Sequence, residues 1–388
     1  MPTTAEGGTP AAAIEIEAYG KSDVGQVRDG NEDAFAIGDL DQGELWNGEG
    51  AAKRTGARGH LLVVCDGMGG ASGGEVAAEL AARTLWRELR ASQDTDQPAV
   101  FARLLRRAVR VANARVFDES RREAALRGMG TTLSAAGVCG GHLVIAQVGD
   151  SRVYVLRAGV LVQVTRDQSL VQALVGAGQL TPDEARTSSV ASAILQALGV
   201  GPDVEASLSL VELRRGDRVL LCSDGLHNQL GDLAINAILG TAASVKVAAD
   251  TLVAAAHSAG GADNITALVA FVDGLGLPPP ASEDDLPRFV EFDPDEEGAR
   301  ALHSTSYVVR RLAARVGIGD DPGGPVVPAT GQHLALRHNA TGPRPTIADV
   351  AGPASARLGS ASARLAWWAT VLGLAAVAAL AGWWLAAR

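Results

Sequence analysis

Four short acidic motifs carry the residues whose types and spacing could do chemistry. Each adjoins an extended segment or begins a glycine turn; they are Asn31-Glu32-Asp33, Asp66-Gly67-Met68-Gly69-Gly70, Asp224-Gly225 and Asp263-Asn264. A single aspartate of this kind is most often a turn former or a helix cap. Several carboxylates that converge on one end of a sheet would repel one another unless a cation lay among them. Taken together, the four motifs therefore indicate a bound divalent metal.

The donor atoms of these motifs indicate which metal. All of them are oxygens, and no histidine or cysteine stands at a matching position. This donor set favours Mg²⁺ or Mn²⁺ over zinc or copper. Two such ions about 3.5–4 Å apart can activate a bridging water for phosphoester hydrolysis.

The elements that must position these motifs lie between residues 14 and 273. Strand-like apolar runs cover residues 60–65, 143–148, 153–156, 219–222 and 265–272, and several end at or near an aspartate. Helical periodicity marks residues 75–90 and 98–127, with further candidates at 169–177 and 244–258. Residues 150–165 have the pattern of a β-hairpin. Strands that follow strands, with helices paired elsewhere, favour an α+β fold over a parallel sheet.

Composition and charge exclude several classes of protein. The chain has 388 residues, of which 47% are hydrophobic and 20% charged, so it is not disordered as a whole. Its net charge of -10 makes nucleic acid an unexpected partner, because a binder would need a basic patch within an acidic average. The three cysteines, Cys65, Cys139 and Cys222, are too far apart for a zinc knuckle and fit reduced, buried thiols in the cytosol.

The two ends of the chain differ from this middle part. Residues 1–13 carry one charged side chain, Glu6, which predicts a disordered N-terminus without a cleaved secretion signal. Residues 274–364 predict a flexible linker, because eleven of the sixteen prolines lie between 278 and 353 and an acidic run covers 283–297. Residues 14–273 are expected to form one folded domain.

The last segment, residues 365–388, predicts one transmembrane helix. Residues 366–387 are uncharged, with a tryptophan pair at each end. Twenty-two residues in a helix span roughly 33 Å, enough for a hydrocarbon core of about 30 Å. A buried core helix is the alternative, but a soluble helix of this length should show a polar stripe. Arg357 and Arg364 before the segment, against Arg388 alone after it, favour a single-pass C-terminal anchor with the folded domain in the cytoplasm.

In joint order and spacing, the motifs resemble those of a known family, the metal-dependent type 2C (PPM) protein serine/threonine phosphatases, and especially its bacterial members. The resemblance covers residues 19–273. The matching segments are Ser22-Asp23-Val24-Gly25, Arg28-Asp29-Gly30-Asn31-Glu32-Asp33, Val64-Cys65-Asp66-Gly67-Met68-Gly69-Gly70, Gly130-Thr131-Thr132, Val148-Gly149-Asp150-Ser151-Arg152, Cys222-Ser223-Asp224-Gly225-Leu226 and Asp263-Asn264-Ile265-Thr266. The fold that this resemblance implies is a four-layer α-β-β-α sandwich, with two antiparallel sheets flanked by helices.

The resemblance also implies a set of metal ligands for two Mn²⁺ or Mg²⁺ ions and a possible weaker third. Asp33 and Asp66 would hold the two ions, with Asp66 bridging them and the Gly67 carbonyl adding an oxygen. The remaining ligands would be Asp224 and Asp263 on one side, Glu32 through bound water, and Asp150, which with Asp224 would bind the third ion.

The activity implied is hydrolysis of phosphoserine and phosphothreonine by a water or hydroxide that bridges the two ions. Arg28 would bind the phosphate, so Arg28, Asp33 and Asp66 are the expected catalytic residues. A planar guanidinium can grip two phosphoryl oxygens, although a surface ion pair is the alternative for Arg28. The expected partners are phosphorylated proteins, including serine/threonine kinases and their substrates, near the membrane.

The sequence departs from the family pattern in residues 166–199, which by the resemblance correspond to the mobile flap that shapes substrate access in the family. Gln168 stands where many relatives carry the histidine of Asp-His-Ser, and residues 188–199 lack the His, Pro and Arg often found there. This departure leaves open a phosphoprotein-binding pseudophosphatase scaffold at the membrane. A third hypothesis is a partner-switch regulator that acts on a phosphorylated anti-sigma-factor antagonist. His227 is expected to be a turn residue that faces solvent.

Overall fold

The computed structural model describes residues 14–46, 50–55, 59–69, 73–92, 97–186, 188, 190, 192–282 and 284–294. The N-terminal segment 1–13, the linker beyond residue 294 and the transmembrane prediction for 365–388 lie outside these ranges. Within them, no helix has both the length and the apolar character needed to cross a membrane.

Fourteen strands and seven α-helices make up the described part of the chain. The strands are β1 (Glu15–Asp23), β2 (Asp33–Asp39), β3 (Glu44–Trp46), β4 (Gly50–Thr55), β5 (His60–Met68), β6 (Gly130–Thr131), β7 (Leu133–Cys139), β8 (His142–Val148), β9 (Arg152–Arg157), β10 (Val160–Gln163), β11 (Ser207–Glu212), β12 (Arg218–Cys222), β13 (Ile265–Asp273) and β14 (Phe289–Glu291). The helices are α1 (Gly73–Arg90), α2 (Pro98–Arg122), α3 (Leu170–Gly176), α4 (Pro182–Arg186), α5 (Asp224–His227), α6 (Asp232–Thr241) and α7 (Val245–Ser258).

These strands form two antiparallel sheets. The first sheet has six strands in the order β10-β9-β12-β13-β1-β4. The second has the order β14-β11-β8-β7-β5-β2-β3, with β6 paired to β5 beside it. The α+β prediction with two antiparallel sheets is therefore confirmed.

Side-chain alternation along β5 explains how the layers pack. Leu62 and Val64 point into the core between the two sheets, where they join Leu221 and Leu268 of the first sheet. Leu61, Val63 and Cys65 point the other way, into a second core with α1 and α2. A strand buried on both faces is apolar at successive positions, as residues 61–65 of β5 are.

Helices cover the outer face of each sheet. On the second sheet, Leu85 of α1 and Phe101 of α2 are fully buried. On the first sheet, Leu239 of α6 and Leu252 of α7 pack against Leu220 and Val269. The resulting order of helices, sheet, sheet, helices places the ends of both sheets next to each other.

The folded domain continues beyond residue 273, where the sequence predicted a flexible linker. Strand β14 pairs with β11, and Leu277 and Phe292 are at least nine-tenths buried. Arg106 of α2 also pairs with Asp293 at 2.7 Å. The linker prediction is thus wrong for the described residues 274–294, because a few apolar side chains anchor a stretch whose average composition is acidic and rich in proline.

Candidate metal centre

Two of the predicted ligands face each other across neighbouring strands of the second sheet. Asp33 begins β2, Asp66 lies near the end of β5, and the two are register partners in the antiparallel ladder. The next residue, Gly67, donates its backbone N–H to the Glu32 carbonyl at 3.1 Å. A Cβ on Gly67 would lie 2.2 Å from the Gly74 carbonyl oxygen, so the close approach of α1 requires glycine here.

The first sheet supplies two more carboxylates at the same edge. Asp224 follows β12 as the first residue of α5, and Asp263 stands just before β13. Cys222 and Ala267 are register partners, which keeps these two strand ends adjacent. Burial, followed by repulsion from Asp263, raises the pKa of Asp224, and Asp66 opposes this rise.

Asp33 has one carboxylate oxygen that the protein satisfies and one that it does not. Its Oδ2 accepts hydrogen bonds from Ser223 Oγ and Thr266 Oγ1, both at 2.7 Å. Its Oδ1 is buried and has no hydrogen-bond partner among the described residues. Burial raises the pKa of Asp33 to about 7, against the two hydrogen bonds and with further repulsion from Asp224 and Asp263.

The neighbouring aspartates are perturbed in the same direction. Burial, followed by repulsion from Asp33 and Asp224, raises the pKa of Asp66. Asp150, in the turn after β8, has its pKa raised to about 7 by burial and then by Asp224 and Asp167. Asp33, Asp66 and Asp224 of the acidic motifs therefore repel one another, together with Asp150, which the family resemblance added.

Arg28 lies at the exposed mouth of this cluster. Its Nη2 donates to Asp263 Oδ2 at 2.8 Å, and the two side chains are 52% and 37% exposed. This contact with Asp263 is the first reason that the pKa of Arg28 is raised, and Glu32 and Asp66 add smaller contributions. Arg28 thus faces the carboxylates while it remains accessible to a ligand from solvent.

Asn264 holds the loop that carries Arg28, and it was absent from the predicted site residues. Its Nδ2 donates to the carbonyls of Val24 and Gly30, and its Oδ1 accepts from the Glu32 N–H at 2.8 Å. The Asp263-Asn264 motif was the available sequence signal for Asn264. Its role was missed because the three contacts join residues 232 to 240 positions apart in the chain.

The prediction that His227 faces solvent is wrong. Its Nε2 lies 3.1 Å from the Asp150 carbonyl, and its Nδ1 is buried without a hydrogen-bond partner among the described residues. Burial and then Arg152 lower the pKa of His227 to about 3. The imidazole is therefore neutral at neutral pH and supports the Asp150 turn by donating to its carbonyl.

The donor set fits an oxygen-ligated cation, although the side chains are paired within the protein. In the described ranges, no three Asp, Glu, His or Cys side chains form a group that could hold a metal as they stand. Arg28 donates a hydrogen bond to Asp263, and the hydroxyls of Ser223 and Thr266 donate to Asp33 Oδ2. A cation would nevertheless find the unpartnered Oδ1 of Asp33 and would relieve the repulsion that raises the aspartate pKa values.

Comparisons with known proteins agree with this arrangement. A family model described as protein phosphatase 2C matches residues 31–252. The serine/threonine protein phosphatase PstP of Mycobacterium tuberculosis is 39% identical over 254 residues, which cover 65% of this chain and 44% of that protein. The serine/threonine phosphatase stp of Listeria monocytogenes is 38% identical over 212 residues, covering 54% of this chain and 83% of that protein. The chain thus spans less than half the length of its Mycobacterium relative.

Solved structures show the same likeness. The crystal structure of the Mycobacterium tuberculosis phosphatase PstP/Ppp has a TM-score of 0.57 at 36% identity, covering 67% of this chain and 99% of that one. The PstP catalytic domain in complex with two manganese ions has a TM-score of 0.56 at 36% identity, with the same coverage. The family model matches more than half of the residues of this chain. The chain therefore belongs to the protein phosphatase 2C family.

Proposed function

We propose that this protein is a metal-dependent protein serine/threonine phosphatase. The observation that carries the proposal is the aspartate pair Asp33 and Asp66, joined in register across β2 and β5 with Asp33 Oδ1 buried and unpartnered among the described residues. Asp224, at the edge of the other sheet, adds to the repulsion that raises the pKa of both aspartates. Family membership and the manganese-bound relative support the same interpretation.

The residues that would hold two Mn²⁺ or Mg²⁺ ions are those that the family resemblance implies. They are Asp33, Asp66, the Gly67 carbonyl, Asp224 and Asp263, with Glu32 acting through water and Asp150 serving a weaker third ion together with Asp224. When bound, such ions acidify water and offset the negative charge of a phosphoryl group. Because Asp263 now accepts from Arg28, we expect metal binding to release or share that contact.

The chain's own residues bind and orient the substrate. Arg28 gives one Nη2 donor to Asp263, and a guanidinium with five N–H donors can bind phosphoryl oxygens at the same time. Asn264 fixes the loop before β2 and thereby the direction of Arg28. Ser223 and Thr266 both donate to Asp33 Oδ2 and so fix the orientation of this carboxylate. Its other oxygen, Oδ1, is left for a metal ion.

The proposal also includes a location and partners. The uncharged segment 366–387, with its terminal tryptophan pairs, would tether the catalytic domain to the cytoplasmic face of a membrane. Tethering raises the effective concentration of membrane-associated substrates within the reach of the linker. Phosphorylated serine/threonine kinases and their substrates would then be the partners.

The test is Mn²⁺-dependent hydrolysis of a phosphothreonine peptide by the full chain in detergent. The variants Asp66→Asn and Asp224→Asn should each lower kcat by at least about 100-fold, the scale of losing one preorganised electrostatic group. Asp118→Asn, an exposed change on α2, serves as the control. Peptide binding without turnover in the folded wild type would instead support the pseudophosphatase scaffold.

A further inference from the structure

The flap, residues 166–199, is closed at its base by two short backbone segments. Leu170 N–H donates to the Ala193 carbonyl and Leu195 N–H donates to the Gln168 carbonyl, both at 2.7 Å. Leu198 then forms a two-way backbone pair with Thr131, whose other neighbour is Gly67 of the candidate metal centre. The base of the flap is therefore one strand away from the predicted ligands.

Gln168 lies at this base and is completely buried. Its Nε2 donates to the Gln147 carbonyl and to Ser207 Oγ, both at 3.1 Å. Its Oε1 accepts from the Gly149 N–H at 3.0 Å and from Gln196 Nε2 at 2.8 Å. A carboxamide has two donor hydrogens and two acceptor lone pairs, so these four bonds use its whole capacity.

The neighbours fix the direction in which the amide points. The Gly149 N–H can only donate and the Gln147 carbonyl can only accept, so Oε1 faces the first and Nε2 the second. Gln196 is fixed in the same way, because it exchanges hydrogen bonds with both the N–H and the carbonyl of Glu205. The two side chains thus form a continuous amide chain from Glu205 through the flap base to Gly149.

Gly149 is the residue immediately before Asp150, and its φ of +91° makes the turn there. Gln168 holds this turn by its side chain and also by its backbone, since its N–H donates to the Gly149 carbonyl at 2.8 Å. Any displacement of the flap base is therefore transmitted to the Asp150 turn, and the reverse also holds.

We propose that Gln168 and Gln196 form an amide clasp that positions the flap against the Asp150 turn, which makes both of them positioning residues for binding of protein substrates. The proposal rests on the proposed phosphatase function and assigns a role to the position where the sequence departs from its family. No other side chain of similar size supplies two donors and two acceptors. Glutamate would lose both donors and bury a charge among aspartates, and histidine offers two ring nitrogens for four partners.

Two variants separate the halves of the clasp. Gln196→Met removes the hydrogen bond to Gln168 and the two to Glu205 but leaves the Gly149 N–H paired, whereas Gln168→Met releases the Gly149 N–H. Gln42→Met is the matched control, because Gln42 is exposed and lies in the turn after β2. Gln196 is only partly buried, so its variant tests the proposal even if Gln168→Met does not fold.

The first readout is hydrogen exchange of the full chain without substrate. The Leu170 and Leu195 amides should exchange at least about twofold faster in both variants, because each variant loses hydrogen bonds at the flap base. The Gly149 amide should exchange faster only in Gln168→Met. Unchanged exchange of the Leu170 and Leu195 amides in both variants would overturn the proposal.

The second readout compares two substrates. In Gln196→Met, KM for a phosphothreonine peptide should rise roughly 3–10-fold with kcat within about twofold, while kcat/KM for an aryl phosphate stays within about twofold. Gln168→Met should in addition need more Mn²⁺ for half-maximal activity, and the double variant should be less impaired than the product of the two single losses. Equal losses on both substrates in Gln196→Met would overturn the positioning role. If the wild type hydrolysed neither substrate, the proposed phosphatase function would fall, while the exchange experiment would still decide on the clasp.

Discussion

Asparagine in place of Asp33 is expected to stabilise the metal-free protein strongly at pH 8 and by less than half as much at pH 5. The pKa of Asp33 is raised from 3.8 to about 7, with burial as the largest cause. Between pH 3.8 and about pH 7, the Asp33 carboxyl is protonated in the folded chain and ionised in the unfolded chain. The free energy of unfolding therefore falls as the pH rises through this window.

The size of the effect follows from the two pKa values. At 1.36 kcal/mol per pKa unit, ionising Asp33 in the folded protein costs up to about 4 kcal/mol. The substituted amide would avoid this cost because it carries no charge, and its oxygen can still accept from Ser223 and Thr266. For a domain of this size the difference corresponds to roughly 8–16 °C in Tm at pH 8.

Thermal unfolding in EDTA at pH 5, 6, 7 and 8 measures this difference, with Asp118→Asn on the surface of α2 as the control. Addition of Mn²⁺ at pH 8 should raise the Tm of the wild type and should raise that of Asp33→Asn much less, because a ligand that binds only the folded state stabilises it. A gap between Asp33→Asn and wild type that is equal at pH 5 and pH 8 would refute the buried-charge reasoning.

Three further changes test the framework around the site. Gly67→Ala should cost at least about 3 kcal/mol in urea unfolding, because its Cβ would lie 2.2 Å from a backbone oxygen, whereas Gly30→Ala has open space and should be near neutral. Asn264→Ala should lower kcat/KM for the phosphopeptide about 10–100-fold while the fold persists, and circular dichroism would reveal global unfolding instead. A chain that ends at Asp273 should be about 3–5 kcal/mol less stable than one that ends at Pro294, since it loses a buried aromatic side chain; equal denaturation midpoints would contradict this.

The strands that the sequence could predict are the ones with dense aliphatic runs. The run at 60–65 became β5 and the run at 265–272 became β13, each extended by one to three residues. Strands β1, β2 and β7 were not predicted. Their interiors contain glycine and alanine, whose burial depends on a large partner: a Cβ on Gly137 of β7 would collide with Phe101 of α2. Small residues carry no local strand signal when the packing partner is distant in the chain.

In the linker and at His227, composition and local context predicted exposure where the structure shows burial. Average composition marked residues 274–294 as flexible, but Phe292 is almost fully buried against the second sheet. A histidine in a turn is usually exposed, whereas His227 is directed inward because α5 brings it against the Asp150 turn. One specific contact outweighed the general tendency in each case.

By itself, the sequence was enough to predict which residues carry the chemistry and to identify the family. Carboxylates beside strand-like segments and glycine turns predicted an oxygen-ligated divalent metal site, and the joint order and spacing of the motifs indicated the family. The tertiary structure decided how these groups are paired: Asp33 Oδ1 is left unpartnered among the described residues, Arg28 is held by Asp263, and Gln168 joins the flap to Asp150. Local spacing fixes the order of such groups along the chain, but burial and hydrogen bonding depend on segments up to 240 positions apart, which meet only when strands distant in the chain pair and the sheets form.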